Sequence, residues 1–184
     1  MSETYYKKLY EPDLSPDMLS DFDRHQAIQR CWRQQNGAWA LVENPYVEDW
    51  SAAQKRCTVL EGLLPALRSG GAVFAAYDGA RLVGFAALDG RARGSRGQYR
   101  WLDMLHVSQG WRGRGIGGQL LLLAQQAARA MGAESLYISA HSAEESQAFY
   151  RAKGCICARE VLADIAAAEP FDVQMELKAT PHKA

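Results

Sequence analysis

The sequence has 184 residues, of which 48% are hydrophobic and 23% charged, a composition typical of one globular domain and not of a disordered or fibrous chain. Lysine plus arginine equals aspartate plus glutamate at 21 each, which excludes a global basic field that would attract nucleic acid or an anionic membrane. No segment reaches the roughly 20 apolar residues of a membrane span, and the first residues lack the apolar region of a secretion signal, so we expect a cytoplasmic protein.

The first seventy residues contain three predicted elements. Residues 15–17, Ser-Pro-Asp, predict a helix start, because proline suits the first helical position. Asn36-Gly37 predicts a β-hairpin over residues 28–42, since this dipeptide adopts the positive φ angles of a tight turn. A helix continuing through residues 22–33 is the alternative there. Residues 50–68 predict a helix that is interrupted near its proline.

From residue 71 the pattern predicts the order β-β-β-α-β-α-β-β. Asp78-Gly79 joins the first two strands as a hairpin, and Tyr99 to Val107 has strand composition. A helix begins at Gly117, and Gly132 lies where a left-handed carboxyl-terminal cap is expected. These elements favour an antiparallel sheet covered by helices.

The remaining elements alternate strand and helix. Residues 136–140 form a predicted strand, and Ser142 to Glu145 match a capping box that would open the next helix. Gly154 ends that helix, and residues 171–177 alternate apolar and polar side chains as a half-buried strand does.

The cysteines and histidines do not form a pattern of metal ligands. One Cys-x-Cys pair is the closest approach to such spacing, and no histidine clusters near it. Buried thiols commonly act as small hydrophobic side chains. We expect no metal site.

Residues 110–118 hold five glycines and two arginines immediately before a run of leucines that begins a helix. Glycines allow successive amide N–H groups to converge on an anion at the positive end of a helix, and Arg112 and Arg114 add charge. This arrangement predicts a pyrophosphate site. Gly113 to Gly118 also fits the Gly-x-Gly-x-x-Gly dinucleotide pattern, but that pattern normally opens a βαβ unit, and the preceding sheet is predicted to be antiparallel.

Two segments carry a family resemblance. Arg112-Gly-Arg-Gly-Ile-Gly117 fills the motif Arg/Gln-x-x-Gly-x-Gly/Ala, and Ala148 to Gly154 contains a Phe-Tyr-x-x-x-Gly helix end. With the strand Leu105-His-Val107 before them, residues 71–177 resemble the GNAT superfamily of acetyl-CoA-dependent N-acyltransferases. The asparagine usually found seven residues before the tyrosine is Ala143 here.

The resemblance implies an α/β fold of the single-domain GNAT type. Its mixed, mostly antiparallel central sheet would be flanked by helices and would carry an N-terminal β-hairpin insertion. Within one domain spanning residues 1–184, residues 1–70 would form a variable acceptor-side part and residues 71–177 the acetyl-CoA-binding core.

The resemblance also implies the activity, which is transfer of an acetyl group from acetyl-CoA to a primary amine by direct attack. The residues expected to contact acetyl-CoA come from the strand, the glycine-rich segment and the second helix: Leu105, His106, Val107, Arg112, Gly113, Arg114, Gly115, Ile116, Gly117, Gly118, Ser142, Ser146 and Tyr150.

The chemistry requires a base for the amine and an acid for the departing thiolate. Asp103 is the candidate base, and we expect its side chain to share a face with Leu105 and Val107, with His106 pointing away. A solvated or ion-paired carboxylate is the alternative role of Asp103. Tyr150 is the candidate acid, at the position where relatives donate to the coenzyme A sulfur.

The sequence says least about the identity of the acceptor. Trp32, Trp39 and Glu43 are the candidate substrate residues, with packing of the hairpin as the alternative use of the tryptophans. We expect a small-molecule amine as partner, and neither nucleic acid nor a membrane; a homodimer is compatible with the sequence. A peptide amine as acceptor, a non-catalytic acyl-CoA sensor and a dinucleotide-binding module are the alternatives.

Overall fold

The computed structural model of the protein describes residues 4–179, so residues 1–3 and 180–184 of the predicted domain lie outside the described part. The strands are β1 (Thr4–Leu9), β2 (Gln26–Gln35), β3 (Ala38–Glu48), β4 (Ala72–Asp78), β5 (Arg81–Leu88), β6 (Tyr99–Val107), β7 (Ser135–Ala140), β8 (Ile156–Cys157) and β9 (Val173–Lys178). The α-helices are α1 (Ala52–Cys57), α2 (Leu64–Arg68), α3 (Ile116–Ala130), α4 (Glu144–Ala152) and α5 (Ala163–Ala168).

Seven strands form one mixed sheet in the order β1-β4-β5-β6-β7-β9-β8. Within it β6 and β7 are parallel, and the other neighbouring strands are antiparallel. The predicted fold, a mixed and mostly antiparallel sheet flanked by helices, is confirmed. None of the helices described between residues 4 and 179 is long and apolar enough to cross a membrane.

Helix α3 covers one face of the sheet. Its apolar stripe, which includes Leu120 and Ala124, packs against Ala86 of β5 and Leu136 of β7. A Cβ atom added at Gly84 would lie 3.0 Å from Leu120 Cδ1, so glycine allows the helix to approach β5 closely. Burial of each leucine contributes roughly 1.5–3 kcal/mol to holding α3 on the sheet.

The opposite face carries two smaller clusters. Phe22, Leu63 and Phe85 belong to a cluster beneath the helical segment that follows the hairpin. Tyr99 and Tyr137 pack with α5 in a second cluster farther along the sheet. The helical segment over residues 52–68 and α5 therefore lie on the side of the sheet away from α3.

The predicted hairpin is present as a separate two-stranded sheet made of β2 and β3. Its turn lies at Asn36, with a φ of 51°, and Gly37, with a φ of 80°. The hairpin docks beside α4, where Ile28 and Cys31 pack on Ala143. Trp32 N donates to Ser142 O at 2.8 Å, so backbone contact fixes this docking.

Three local predictions are wrong. Residues 15–22 form successive turns closed by bonds such as Met18 N to Ser15 O, and no helix begins there. Residues 52–68 are helical without a break, because the π-helical stretch Thr58–Leu63 joins α1 to α2 and Pro65 lies in the first turn of α2, where a missing N–H is tolerated. Ser142 does not cap α4, since its Oγ accepts from Arg33 Nη1 at 2.5 Å.

Strand β1 and helix α5 were not predicted. Among the described residues strand β1 lies at an edge of the sheet and pairs only with β4, so its pattern is weak. Helix α5 has six residues, too few to show a helical period.

Candidate active site

The parallel strands β6 and β7 separate part-way along their length. They pair from Tyr99 opposite Ser135 to Leu102 opposite Ile138, and beyond this point no pair joins them although β6 continues to Val107. A cavity of about 1060 Å³ occupies the gap and is lined from both faces of the sheet. Two ligands that enter from opposite faces of the sheet can therefore meet inside the cavity.

A β-bulge determines where Asp103 points. Leu88 of β5 pairs with Leu102 and the preceding Ala87 pairs with Met104, so Asp103 is the extra residue in β6. Leu102 and Leu105 consequently pack on the same side, in the core beneath α3. Asp103 faces the other side of the sheet, and the prediction that it shares a face with Leu105 and Val107 is wrong.

The Asp103 carboxylate lines the cavity and has no hydrogen-bond partner within the described residues. Burial and, to a smaller extent, the nearby charge of Asp89 raise its pKa to about 6 against the opposing effect of Arg91. A base whose pKa is near neutral combines a large ionised fraction with useful basicity. Asp103 therefore presents to the cavity a carboxyl group whose pKa is near neutral.

The amino end of α3 provides a cradle for an anion. Its first backbone bond runs from Gln119 N to Gly115 O, which leaves the preceding amides without an intrahelical acceptor. Gly113 and Gly115 have φ angles of 75° and 82°, and an added Cβ at either would meet no atom within 4 Å. Glycine is required there for its backbone conformation and leaves open space above the amides. These features fit a pyrophosphate.

The other predicted cradle residues occupy different positions. Gly117 lies close to Phe149, whose ring an added Cβ would contact at 3.4 Å, and both line the cavity. Arg112 Nε donates to Val107 O at 2.9 Å, so this side chain fastens the end of β6. Arg114 does not line the cavity, and its guanidinium lies 5.7 Å from the Trp111 ring. Of the remaining predicted contacts in this segment, Ile116 and Gly118 line the cavity.

Tyr150 reaches the cavity from α4. Burial raises the pKa of its phenol well above the ordinary value, and nearby Cys155 and Asp172 raise it further. Ser146 of the same helix also lines the cavity, whereas Ser142 is buried under the hairpin and does not.

The three strand residues predicted to contact the cofactor, Leu105, His106 and Val107, all line the cavity. His106 packs edge-on against Trp50, with ring centroids 4.9 Å apart. Burial and, to a smaller extent, the charge of Arg24 lower its pKa to about 3. His106 is therefore a neutral, packed side chain at physiological pH.

The predicted substrate residues lie outside the cavity. Trp39 lies near the hairpin turn and is 36% exposed, Trp32 stacks with the Arg151 guanidinium 5.0 Å above its ring, and Glu43 is exposed. The open end of the hairpin faces the cavity instead. Residues outside the predicted site that also line the cavity include Arg24, Gln26, Ala27, Glu48, His141, Glu169 and Asp172.

Glu48 belongs to a hydrogen-bonded network at the open end of the hairpin. Its carboxylate accepts from Arg24 Nη2 and lies 3.1 Å from His141 Nε2, which is also 3.0 Å from the Tyr46 hydroxyl. Because His141 Nδ1 accepts from Ala143 N at 3.1 Å, the neutral imidazole carries its proton on Nε2. His141, followed by Arg24, lowers the pKa of Glu48 to about 2 against the effect of burial, so Glu48 is a poor base.

Comparison with known proteins identifies the family. The sequence pattern described as "Acetyltransferase (GNAT) family" matches residues 24–155. The chain belongs to this family. Acetyl-CoA is therefore its acetyl donor, and the anion cradle lies in the matched segment. Comparison of this acetyltransferase with curated proteins found no match.

Three solved structures share the fold over nearly the full length of this chain, at low sequence identity. Nourseothricin acetyltransferase is 18% identical with a TM-score of 0.69, over 96% of this chain and 99% of that one. A Bacillus anthracis protein assigned as a streptothricin acetyltransferase, solved with acetyl coenzyme A, is 13% identical with a TM-score of 0.65, over 96% and 98%. Ard1 from Thermoplasma volcanium is 15% identical with a TM-score of 0.57, over 95% and 97%. At these identities the neighbours show the fold and not the acceptor, so the acceptor must be argued from this chain's own cavity.

Proposed function

We propose that this GNAT enzyme acetylates the primary amine of a small cationic molecule by direct attack on acetyl-CoA. The observation that carries the proposal is the acceptor side of the cavity, where the carboxylates of Asp103 and Asp172 have no ion-pair partner among the described residues. Unpaired buried carboxylates favour a cationic ligand, because it compensates their lost hydration. Residues 1–70 would contribute the acceptor wall and residues 71–177 the acetyl-CoA core.

The first chemical requirement is removal of a proton. An alkylammonium ion with a pKa near about 10 cannot attack a carbonyl until it is neutral. Asp103 is the proposed base, and it takes the proton directly or through one water. Glu48 is a weaker alternative, because two donors already hold its carboxylate.

The second requirement is stabilisation of the thioester oxygen and of the leaving thiolate. Acetyl-CoA supplies an activated acetyl group when it is bound. Ser108 N donates to Val83 O on the β5 side at 2.8 Å, so the adjacent Val107 N–H faces the gap and can donate to the carbonyl oxygen. Tyr150 is the proposed donor to the sulfur.

The anion cradle positions the donor in this proposal. The amides of Gly113 and Gly115 would bind the pyrophosphate at the amino end of α3, while Gly117 and Gly118 line the path toward the gap. Ser146 of α4 faces the same path.

An acceptor panel tests the proposed function. Thiol release and product mass would be measured with small mono- and diamines and with peptides that have free amino termini. We expect a small cationic amine to exceed every peptide in kcat/KM by about 100-fold, or roughly 2.7 kcal/mol. Preference for a peptide would reject the small-molecule acceptor, and acetyl-CoA binding without release for any amine would indicate an acyl-CoA sensor.

A further inference from the structure

Lys153 places a positive charge over the first turn of α3. It directly follows the last residue of α4, and its side chain reaches α3, where a Cβ atom added at Gly118 would lie 2.8 Å from Lys153 Nζ and 3.0 Å from its Cε. Gly118 is the third residue of α3, and its N–H precedes the first intrahelical bond, which runs from Gln119 N to Gly115 O. The ammonium group therefore lies over a residue whose amide has no intrahelical acceptor.

Gly118 leaves the space that the lysine side chain occupies. Gly113 and Gly115 have positive φ angles, whereas Gly118 lies in the right-handed helix, so its backbone conformation does not require glycine. Glycine is less favourable than alanine in a helix. The absence of a side chain at Gly118 instead allows Lys153 to approach the helix closely.

Two arginines also line the cavity, but both already have partners. Arg24 donates to a carboxylate on the hairpin, and Arg112 donates to two backbone carbonyl oxygens at 2.9 and 3.3 Å. Lys153 lines the same cavity, and no group among residues 4–179 accepts a hydrogen bond or ion pair from its ammonium. Of these three cations, Lys153 is the one that is free to meet a bound anion.

An anion at the cradle would be held from two helices at once. The free amides belong to α3, and the ammonium group comes from the end of α4. The two helices meet beside the cradle, where the Phe149 ring lies 3.4 Å from the position of a Cβ atom added at Gly117. A lysine ammonium is a compact point charge with three donors, and it suits a phosphate oxygen.

Resting on the pyrophosphate cradle of the proposed function, we propose that Lys153 is a donor-binding residue whose ammonium group contacts the pyrophosphate of acetyl-CoA. The contact is a charge-assisted hydrogen bond that adds to those of the backbone amides. Lys153 makes and breaks no covalent bond in this proposal. Its removal therefore affects the affinity for the donor and not the chemical step.

A purely structural role on α4 is the alternative for Lys153. A cation at the carboxyl end of a helix stabilises that helix through its dipole. Such a role would change the melting temperature of the free protein, and its loss would not depend on which ligand is bound. A contact with the pyrophosphate depends on the charge of the ligand and weakens with salt.

Calorimetric titration of the full-length protein with acetyl-CoA tests the proposal. Lys153→Met removes the charge and keeps an apolar stem, and because Lys153 is exposed the free variant should keep its melting temperature. We expect the Kd for acetyl-CoA to rise about 10-fold at low salt, and the difference to shrink below about threefold in about 0.5 M salt. Lys153→Arg should stay within about threefold of the unsubstituted protein. The kcat at saturating acetyl-CoA should be unchanged.

Arg129→Met is the matched control. Arg129 is exposed in the last turn of α3, so its loss also removes one positive charge, but at the opposite end of the helix. The Kd for acetyl-CoA should change less than about twofold, because solvent and salt screen exposed charges at this distance.

Two donor fragments separate the phosphate groups of the ligand. 3′-Dephospho-acetyl-CoA retains the pyrophosphate, so Lys153→Met should weaken its binding by the same factor. S-acetylpantetheine lacks every phosphate, and its affinity, measured by competition, should be the same for Lys153→Met and the unsubstituted protein.

An unchanged Kd for acetyl-CoA in Lys153→Met would overturn the proposal, as would an equal loss in Arg129→Met or a loss that salt does not reduce. A loss that disappears with 3′-dephospho-acetyl-CoA would assign the contact to the 3′-phosphate and reject the pyrophosphate. These results leave the cradle and the amine acceptor standing, because Gly115→Val and the acceptor panel test them separately. Unchanged affinity in both Gly115→Val and Lys153→Met would reject the cradle as well.

Discussion

Glu48 Oε1 lies 3.1 Å from His141 Nε2, and this contact joins strand β3 of the hairpin to the segment that follows β7. Arg24 of the segment before β2 donates to the same carboxylate. The open end of the hairpin is therefore fixed against the wall of the cavity by three side chains from three parts of the chain.

This network predicts a loss of stability in Glu48→Gln. The folded pKa of Glu48 is lowered from 4.5 to about 2, so its contribution is complete above pH 4.5 and is lost as the pH falls toward 2. At pH 7 we expect a decrease of about 2 kcal/mol in the free energy of unfolding, allowing for partial exposure. Urea denaturation at several pH values measures it. Glu43→Gln, on the exposed side of the same strand, is the control and should change stability little.

The glycine cradle predicts a selective loss of donor binding. Gly115→Val should weaken acetyl-CoA binding at least about tenfold, because a branched residue disfavours the φ of 82° and covers the exposed amides. Gly132→Val is a matched control, since Gly132 caps the other end of α3 with a φ of 79° and equally open surroundings. Calorimetry on folded variants gives the affinities. Equal affinities of the two variants for acetyl-CoA would show that the cradle does not bind the donor.

Part of this architecture follows from local sequence signals. Asn36-Gly37 predicts the hairpin and the glycines before Ile116 predict the helix end, because each requires positive φ at a defined position. The face of Asp103 was predicted wrongly because one extra residue in β6 shifts the alternation of side chains, and no residue type marks that bulge.

The proposed acceptor wall could not be predicted from the sequence in the same way. Arg24, Glu48, His141 and Asp172 come from four distant segments and meet only because β6 and β7 separate. His141 carried a usable signal, since it directly follows a strand of the parallel pair, and ligands commonly bind beyond the carboxyl ends of such strands.

The position of the hairpin predicts which aromatic and apolar residues affect the acceptor. Trp39→Ala should leave acceptor KM and kcat unchanged, because Trp39 lies near the turn and away from the cavity. Ala27→Phe should raise acceptor KM by about tenfold or more, because Ala27 lines the cavity at the open end. Steady-state kinetics on both variants checks this, and a raised KM in Trp39→Ala alone would place the acceptor elsewhere.

The raised pKa of Asp103 predicts that replacing this residue stabilises the folded protein. Its folded pKa is raised from 3.8 to about 6, so folding favours the protonated form, and stability falls as the pH rises from 3.8 through 6. Asp103→Asn should therefore be more stable than the unsubstituted protein at pH 8, by up to about 3 kcal/mol, and of similar stability at pH 4. Denaturation at the two pH values compares them. Equal stability at pH 8 would mean that burial of the carboxylate costs little.

The central claim, that Asp103 takes the proton of the amine in the gap between β6 and β7, is tested most directly by kcat/KM as a function of pH. The kcat/KM of the unsubstituted enzyme should rise with pH, with an apparent pKa of about 6, and then level off, because ionised Asp103 accepts the proton of the bound ammonium. The kcat/KM of Asp103→Asn should be at least about 100-fold lower at pH 7 and should continue to rise toward pH 10, where the free amine is abundant. Superimposable profiles for the two proteins would contradict the account.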